Sequence, residues 1–220
     1  MADKKVERIV IDAPNFGHYE TEIVGTAPLV QLRFSEKTKQ EMMLKHAQGD
    51  VARSKNKREK KDFDALYKQS MHISAEGWYG IPAAGVRNAM ISACRVAGVV
   101  MTKAKLCVFV QADGLDSDDH LTGLIKITHG EPKRIDSPVR NADGSADIRT
   151  RAMWAPGWRA IIRIQYDADQ IDPGGISNLL MRAGKQVGLG EGRPDSKKSN
   201  GMGWGLFDLV SKPPRKPKKN

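Results

Sequence analysis

Cysteine is scarce in this chain, with two in 220 residues, which excludes a disulfide-dense scaffold. Cys94 and Cys107 both sit in apolar surroundings, SACRVAG and KLCVFV. Each reads as a small buried hydrophobe of a reducing compartment, with a single bridge between them left open. Aromatic residues make up only 6% although 40% of the chain is hydrophobic, which describes a compact core with much polar elaboration around it. Long apolar runs are missing as well. The start, MADKKVERIV, has no apolar stretch of signal-peptide length, and no segment approaches the roughly 18 apolar residues of a membrane span. The expectation is a cytoplasmic protein (a host's cytoplasm if the gene is viral) with no membrane partner. Two catalytic signatures are absent too. His18, His46, His72, His120 and His129 fall in no HxxxH or HExxH spacing, and no GKS or GKT follows the glycines. Neither a helical zinc site nor a triphosphate loop is therefore expected, and no cofactor.

What the chain has in excess is positive charge, net +10, and its placement is informative. RSKNKREKK, from Arg53 to Lys61, carries six basic residues against Glu59, for +5. The tail KPPRKPKKN carries Lys212, Arg215, Lys216, Lys218 and Lys219, another +5, so the remainder is formally neutral. Concentration of this kind points to an anionic polymer as partner. The bland alternative is a solvated charge run and a solubilising tail. An acidic membrane surface fits less well, because neither segment has the apolar face of an interfacial helix.

Along the chain, residues up to about His18 show no clear period and read as a loose arm or an edge strand. YETEIVGTAPLVQLRFS reads as a strand broken at Gly25 to Pro28, with Val30, Leu32 and Phe34 alternating after the break. Glu36 to Gln48 has a weak helical period, and helix is expected again over Asp62 to Gln69. Ser70 to Tyr79 returns as a strand. GIPAAGVRNAMISACRVAG gives a strong helix signal, with Pro82 in the first turn, Gly98 as the left-handed stop and Val86, Met90, Ala93 and Ala97 on one face. Lys105 to Gln111 and Leu124 to His129 read as strands joined by the acidic turn DGLDSDDH. Residues 130–158 are rich in Gly, Pro, Asp and Arg, the composition of a long hairpin or protruding loop. Arg159 to Tyr166 alternates cleanly, Asp172 and Pro173 open a second helix that Gly188 closes, and a last strand falls near Gly203 to Val210. Stripped of insertions this order is strand, helix, strand, strand, helix, strand, an α+β fold with a ferredoxin-like or RRM-like βαββαβ core. The expected division is an N-terminal arm over 1–18, a core over 19–211 with insertions at 36–70 and 130–158, and a disordered basic tail over 212–220.

Three patterns in this order resemble the RAMP superfamily, in particular the repeated backbone subunit of CRISPR effector complexes. GTAPLV (Gly25 to Val30) is similar to their opening strand and turn. GIPAAGVRNAM (Gly80 to Met90) resembles their first helix, and GLGEGRPDSKKSNGMGWGLF (Gly188 to Phe207) their C-terminal glycine-rich loop. Asn88 stands where glycine is usual, and Glu191 to Asn200 is extra length within the loop. The resemblance implies a phosphate contact at Arg87, a thumb-like hairpin at 130–158, and copies assembling side by side along a strand. Some relatives cleave RNA without metal through a histidine or an aspartate, which puts His46 or Asp50 forward for that role.

The candidate contacts follow from backbone-reading chemistry. Gly201 and Gly203 let amides approach a phosphate without a Cβ in the way, and Arg193, Lys197 and Lys198 bring charge to the same loop. Trp204 between glycines either stacks on a base or fills the core. From the basic run, Lys57, Arg58, Lys60 and Lys61 supply affinity without sequence readout. In the hairpin, Lys133, Arg134, Arg140, Arg149 and Arg151 precede Met153 and Trp154, an apolar tip that inserts between bases or packs beneath the loop. Arg95 lies two turns along the helix from Arg87. Asp113, Asp116, Asp118 and Asp119 lack the spacing of an EF-hand and read as a solvated turn. The expectation is a non-catalytic, sequence-tolerant binder of single-stranded RNA or DNA, forming a homo-oligomeric filament, with no small-molecule partner. A metal-independent endoribonuclease and a self-assembling structural protein with a nucleic-acid-tethering tail are the alternatives.

Overall fold

The computed structural model describes residues 12–33, 43, 61–140, 144–196 and 201–210. Its centre is an antiparallel sheet built on β9 (Arg159–Asp167), where Ala160, Ile162, Ile164 and Tyr166 are buried and the intervening residues are half-buried. That alternation is what the two-residue period of a strand gives when one face is covered. β1 (Phe16–Gly25) zips along β9 from Phe16 opposite Asp167 to Val24 opposite Arg159. β10 (Phe207–Leu209) closes the far side of β1. On the other side of β9, two strands share its length. β4 (Val108–Val110) pairs with the Ile164 to Tyr166 end, and β6 (Gly123–His129) with Ala160 and Arg159. β6 in turn carries β3 (Gly80–Pro82) and β5 (Gly114–Leu115).

A second, three-stranded sheet joins β2 (Leu29–Gln31) to the hairpin of β7 (Pro132–Arg140) and β8 (Ala146–Trp154). Leu29, Ala152 and Trp154 tie it to the main core. The helices are α1 (Phe63–Gln69), α2 (Ala83–Ala97), α3 (Met101–Cys107) and α4 (Pro173–Arg182). Together with the antiparallel sheets they make an α+β architecture. In α2, Val86, Met90, Ala93 and Cys94 recur at helical spacing and are buried. Gly98 ends the helix in the left-handed conformation, at φ 69°. The Asp172 side chain caps α4 by accepting from the Gly175 amide, and a π-helical turn, Ala183–Val187, carries the chain on to Gly188. Among the described residues no helix is long and apolar enough to cross a membrane.

Several expectations from the sequence change. β1 starts at Phe16, so Phe16 to His18 belong to a strand paired with β9 on one side, the edge alternative, while β10 reaches only Ile23 to Gly25. Lys105 to Cys107 are helical, because Ala104 and Cys107 bury one face of α3, and only Val108–Val110 join the sheet. Ser70 to Tyr79 forms just two isolated bridges, Ile73 with Tyr79 and Ser74 with Asp116. Gly80–Pro82 is the strand there, and Pro82 is the cap residue of α2, outside the first turn. The hairpin is present over 132–154, but Met153 and Trp154 are at its base, paired with Val30 and Leu29. Glu36 to Gln48 apart from Met43, most of the basic run and the tail lie outside the described residues.

Candidate nucleic-acid interface

Three elements meet around a groove of about 530 Å³: β2, the first half of α2 and the loop that follows the π-helical turn. At its floor α2 begins on Pro82, whose extended backbone serves as the cap and whose ring offers no acceptor. Among the described residues no side chain caps this helix, and its first turn holds no acidic residue. Its first amides therefore lack a side-chain partner there, and the partial positive charge of the helix end sits beside Gly85 in the groove wall.

The glycine-rich loop divides into two kinds of glycine. Gly190 and Gly205 have φ near +73° and +71°, and a Cβ on either would collide with a carbonyl oxygen, of Val30 and Leu189 respectively. Here the missing side chain lets backbone lie on backbone: the Glu191 amide donates to the Val30 carbonyl at 2.9 Å, Gly205 to Pro28 at 2.7 Å and Leu189 to Gly205 at 3.0 Å. Gly203 is different. Its φ is +75°, yet no described atom lies within 4 Å of where a Cβ would stand, and the nearest to that of Gly201 is 3.7 Å away. Among the described residues Gly203 therefore has open space beside its backbone, while a Cβ on Gly201 would be in ordinary contact with Pro194. Trp204 is half-buried, its ring against Gly192 in the groove wall.

The basic side chains sort by direction. Arg149 and Arg193 line the groove. Glu191 anchors the loop to the hairpin by accepting from Arg151 Nε at 2.5 Å, with Arg149 4.0 Å away. Asp195 ties the same loop to Arg95 of α2, and the Arg95 partnership holds the Asp195 carboxyl below the ordinary range against the effect of its burial. Arg193 donates to the Gly190 carbonyl at 2.9 Å. Lys61 reaches Asp147 on the hairpin at 2.5 Å, and Arg134 pairs with Asp64 and Asp136. Lys133 is exposed on β7.

Two expected contacts face elsewhere. Arg87 donates from Nε to the Val108 carbonyl at 2.8 Å and also to Lys105, with its guanidinium 5.6 Å from the Phe109 ring centre. It ties off the end of α3, a structural task. Trp154 is fully buried, edge-on to Tyr79 at 5.8 Å, and cannot stack on a base from that position. Lys57, Arg58, Lys60, Lys197 and Lys198, and the alternative residues His46 and Asp50, lie outside the described residues.

The groove also holds a cluster that sequence reasoning misses. His72 lines the groove, and its Nδ1 lies 2.9 Å from Oδ2 of Asp116, which is fully buried. The other Asp116 oxygen accepts from the amides of Asp118 and Asp119 and lies 3.0 Å from Arg33 Nη2. Gln31 bonds the His72 amide at 3.0 Å and the Gly80 carbonyl at 2.7 Å. A carboxylate only accepts, so the proton between them belongs to Nδ1 of His72. Burial pushes the imidazole below its ordinary value of 6.5, further than Asp116 raises it. Forty-four positions separate His72 from Asp116, and nothing local in DGLDSDDH distinguishes a buried aspartate from its solvated neighbours. Among the described residues the acidic side chains do not gather into a cage, since Asp113 turns to Arg163 and the Lys126 amide.

The outer face of the main sheet is chemically distinct from the groove. Arg159 pairs with Glu22 at 3.1 Å, Arg163 with Glu20 at 2.8 Å and with Asp113, and Lys185 with Asp208 at 3.1 Å. Phe16 and Phe109 meet edge-on at one end, 6.3 Å apart. A face filled by paired charges is a poor platform for stacked bases.

No protein-family model matches the chain. No curated protein matches it either. Among solved structures, one similar chain belongs to a cryo-EM structure of the type III-B Cmr-beta bound to cognate target RNA. The two are 13% identical with a TM-score of 0.49, and the alignment covers 89% of this chain and 59% of that one. This chain thus spans less than two thirds of its neighbour.

Proposed function

We propose that the protein binds single-stranded nucleic acid along the groove between β2, α2 and the glycine-rich loop, reading backbone and not sequence. The observation that carries this is convergence. A helix start without a side-chain cap and the guanidinium groups of Arg149 and Arg193 come from distant parts of the chain to one groove, and Gly203, with open space beside it among the described residues, belongs to the same loop as Arg193. Helix amides and guanidinium groups are both phosphate chemistry. Trp204, half-buried against Gly192, is the ring to which we assign stacking on an unpaired base. The charge in RSKNKREKK and the tail adds sequence-independent affinity. Taking β1, α2, β4, β9, α4 and β10 as a ferredoxin-like core is supported by the antiparallel order β10, β1, β9, β4. On that frame the groove lies on the helical side, away from the ion-paired face that an RRM would use, and copies of the chain assemble along the strand.

Titration of labelled single-stranded RNA and DNA across a salt series tests the reading. Changing both Arg149 and Arg193 to alanine is expected to weaken binding at least about tenfold and to lower the slope of log K against log salt by about 0.7 for each phosphate no longer neutralised. Absence of binding by the unaltered protein at low salt would sink the proposal.

A further inference from the structure

We infer that His72 is a titratable phosphate contact of the groove, so that nucleic-acid binding is accompanied by uptake of a proton. The inference rests on the nucleic-acid reading of the groove and adds to it a residue and a coupling. Its basis is the way His72 is held. Gln31 takes the backbone amide, the Gly80 amide donates to the backbone carbonyl at 3.0 Å, and Asp116 takes Nδ1. These bonds fix the ring against the groove wall. Nε2 has no protein partner among the described residues, and in the tautomer that Asp116 selects it is a bare lone pair.

Burial keeps the ring neutral when the groove is empty, since of the charges around it the carboxylates of Asp116 and Asp119 raise the imidazole and Arg33 lowers it. Asp116 divides its charge among Arg33 and the amides of Asp118 and Asp119, and Asp118 is itself paired with Arg33 at 2.8 Å. From the loop come Glu191, engaged by Arg151, Asp195, engaged by Arg95, and Arg193; from the hairpin comes Arg149. On its own segment, Glu76 is bonded to the Trp78 ring nitrogen, and Tyr79 packs against the core. A phosphodiester arriving at Nε2 meets a lone pair and is repelled. Protonation converts the same atom into a donor carrying positive charge. Phosphate and proton therefore each favour the binding of the other.

The sign follows directly. The empty groove holds His72 below 6.5, and a bound phosphate raises it. Affinity is flat well above the bound-state value, strengthens as pH falls through it, and levels off below the empty-state value. One proton limits the slope to about tenfold per pH unit.

The test is the affinity of the full-length protein for labelled oligouridine and oligothymidine at constant ionic strength, from about pH 5 to pH 8. The unaltered protein is expected to bind more tightly toward acid, and calorimetry in buffers of differing ionisation heat is expected to register proton uptake. His72→Gln and His72→Asn are expected to flatten the profile, while His18→Gln, His120→Gln and His129→Gln leave it in place. His72→Asn keeps a donor toward Asp116, so it carries the test if His72→Gln melts early, and the calorimetry needs no variant. A pH-independent affinity, or a slope that survives in both His72 variants, overturns the inference and leaves the binding site standing. No binding by the unaltered protein at any pH overturns the reading of the groove itself.

Discussion

At the scale of single residues, the glycines of the loop show how one residue type serves two ends. Gly203 and Gly205 share a left-handed backbone, but only Gly205 is pressed against another carbonyl, that of Leu189. Alanine at Gly203 then carries the conformational penalty alone, about 1 kcal/mol. Alanine at Gly205 adds a collision with backbone and must push apart the two arms of the loop, where the Leu189 amide donates to the Gly205 carbonyl. Gly205→Ala is expected to lower the urea midpoint well beyond Gly203→Ala, and equal midpoints would contradict this division. The sequence marks both positions as backbone-permissive. It does not say which one faces open space, because that depends on Leu189 lying over Gly205. Arg87 gives the same lesson for a charged side chain: its place on the helix is legible, while its direction is set by the carbonyls of Lys105 and Val108.

Among the elements, those with local punctuation are legible. α2 is bounded by Pro82 and Gly98, α4 opens on Asp172 and the π-helical turn that continues it ends at Gly188, and β9 is marked by its own alternation. α3 has no such marker, since KLCVFV is apolar enough for either period and the switch from helix to strand falls inside it. The hairpin is legible as a hairpin, but which end is its base is not, because the pairing of Leu29 with Trp154 is a non-local fact. The contact that matters most between elements is likewise non-local. Arg151 on β8 and Glu191 in the loop are both half-buried, with side chains 15% and 25% exposed, and their bond joins hairpin to loop beside the groove. A double-mutant cycle on Arg151→Ala and Glu191→Ala is expected to show a coupling of about 1 kcal/mol or more in urea denaturation, above that of an exposed pair. Additive effects would mean that the bridge does not brace the groove.

For the whole molecule, the concentration of charge is legible and the groove is not. Composition alone locates the excess in Arg53 to Lys61 and in the tail. The groove requires Leu29, His72, Asn88, Arg149 and Arg193 to meet, and no periodicity links positions so far apart. The two features divide the work of binding in a way that salt can separate. In the proposed binding mode, charges on the tail act through the counterion atmosphere and fade with added salt, whereas the helix amides and Arg149 would hold a phosphate at fixed geometry. Deleting residues 212–220 removes five positive charges. The shortened protein is expected to bind several-fold more weakly at low salt, with a salt slope reduced by about 0.7 for each phosphate the tail had engaged. Its affinity should converge on that of the full chain as salt rises, and its melting temperature should not change. Replacing Arg149 and Arg193 should also lower the slope, by the phosphates they neutralise, but should leave a deficit in affinity that persists at high salt. Were the tail deletion to weaken binding by the same factor at high and low salt, the tail would be making fixed contacts, and the division between a diffuse attraction and a shaped groove would fall.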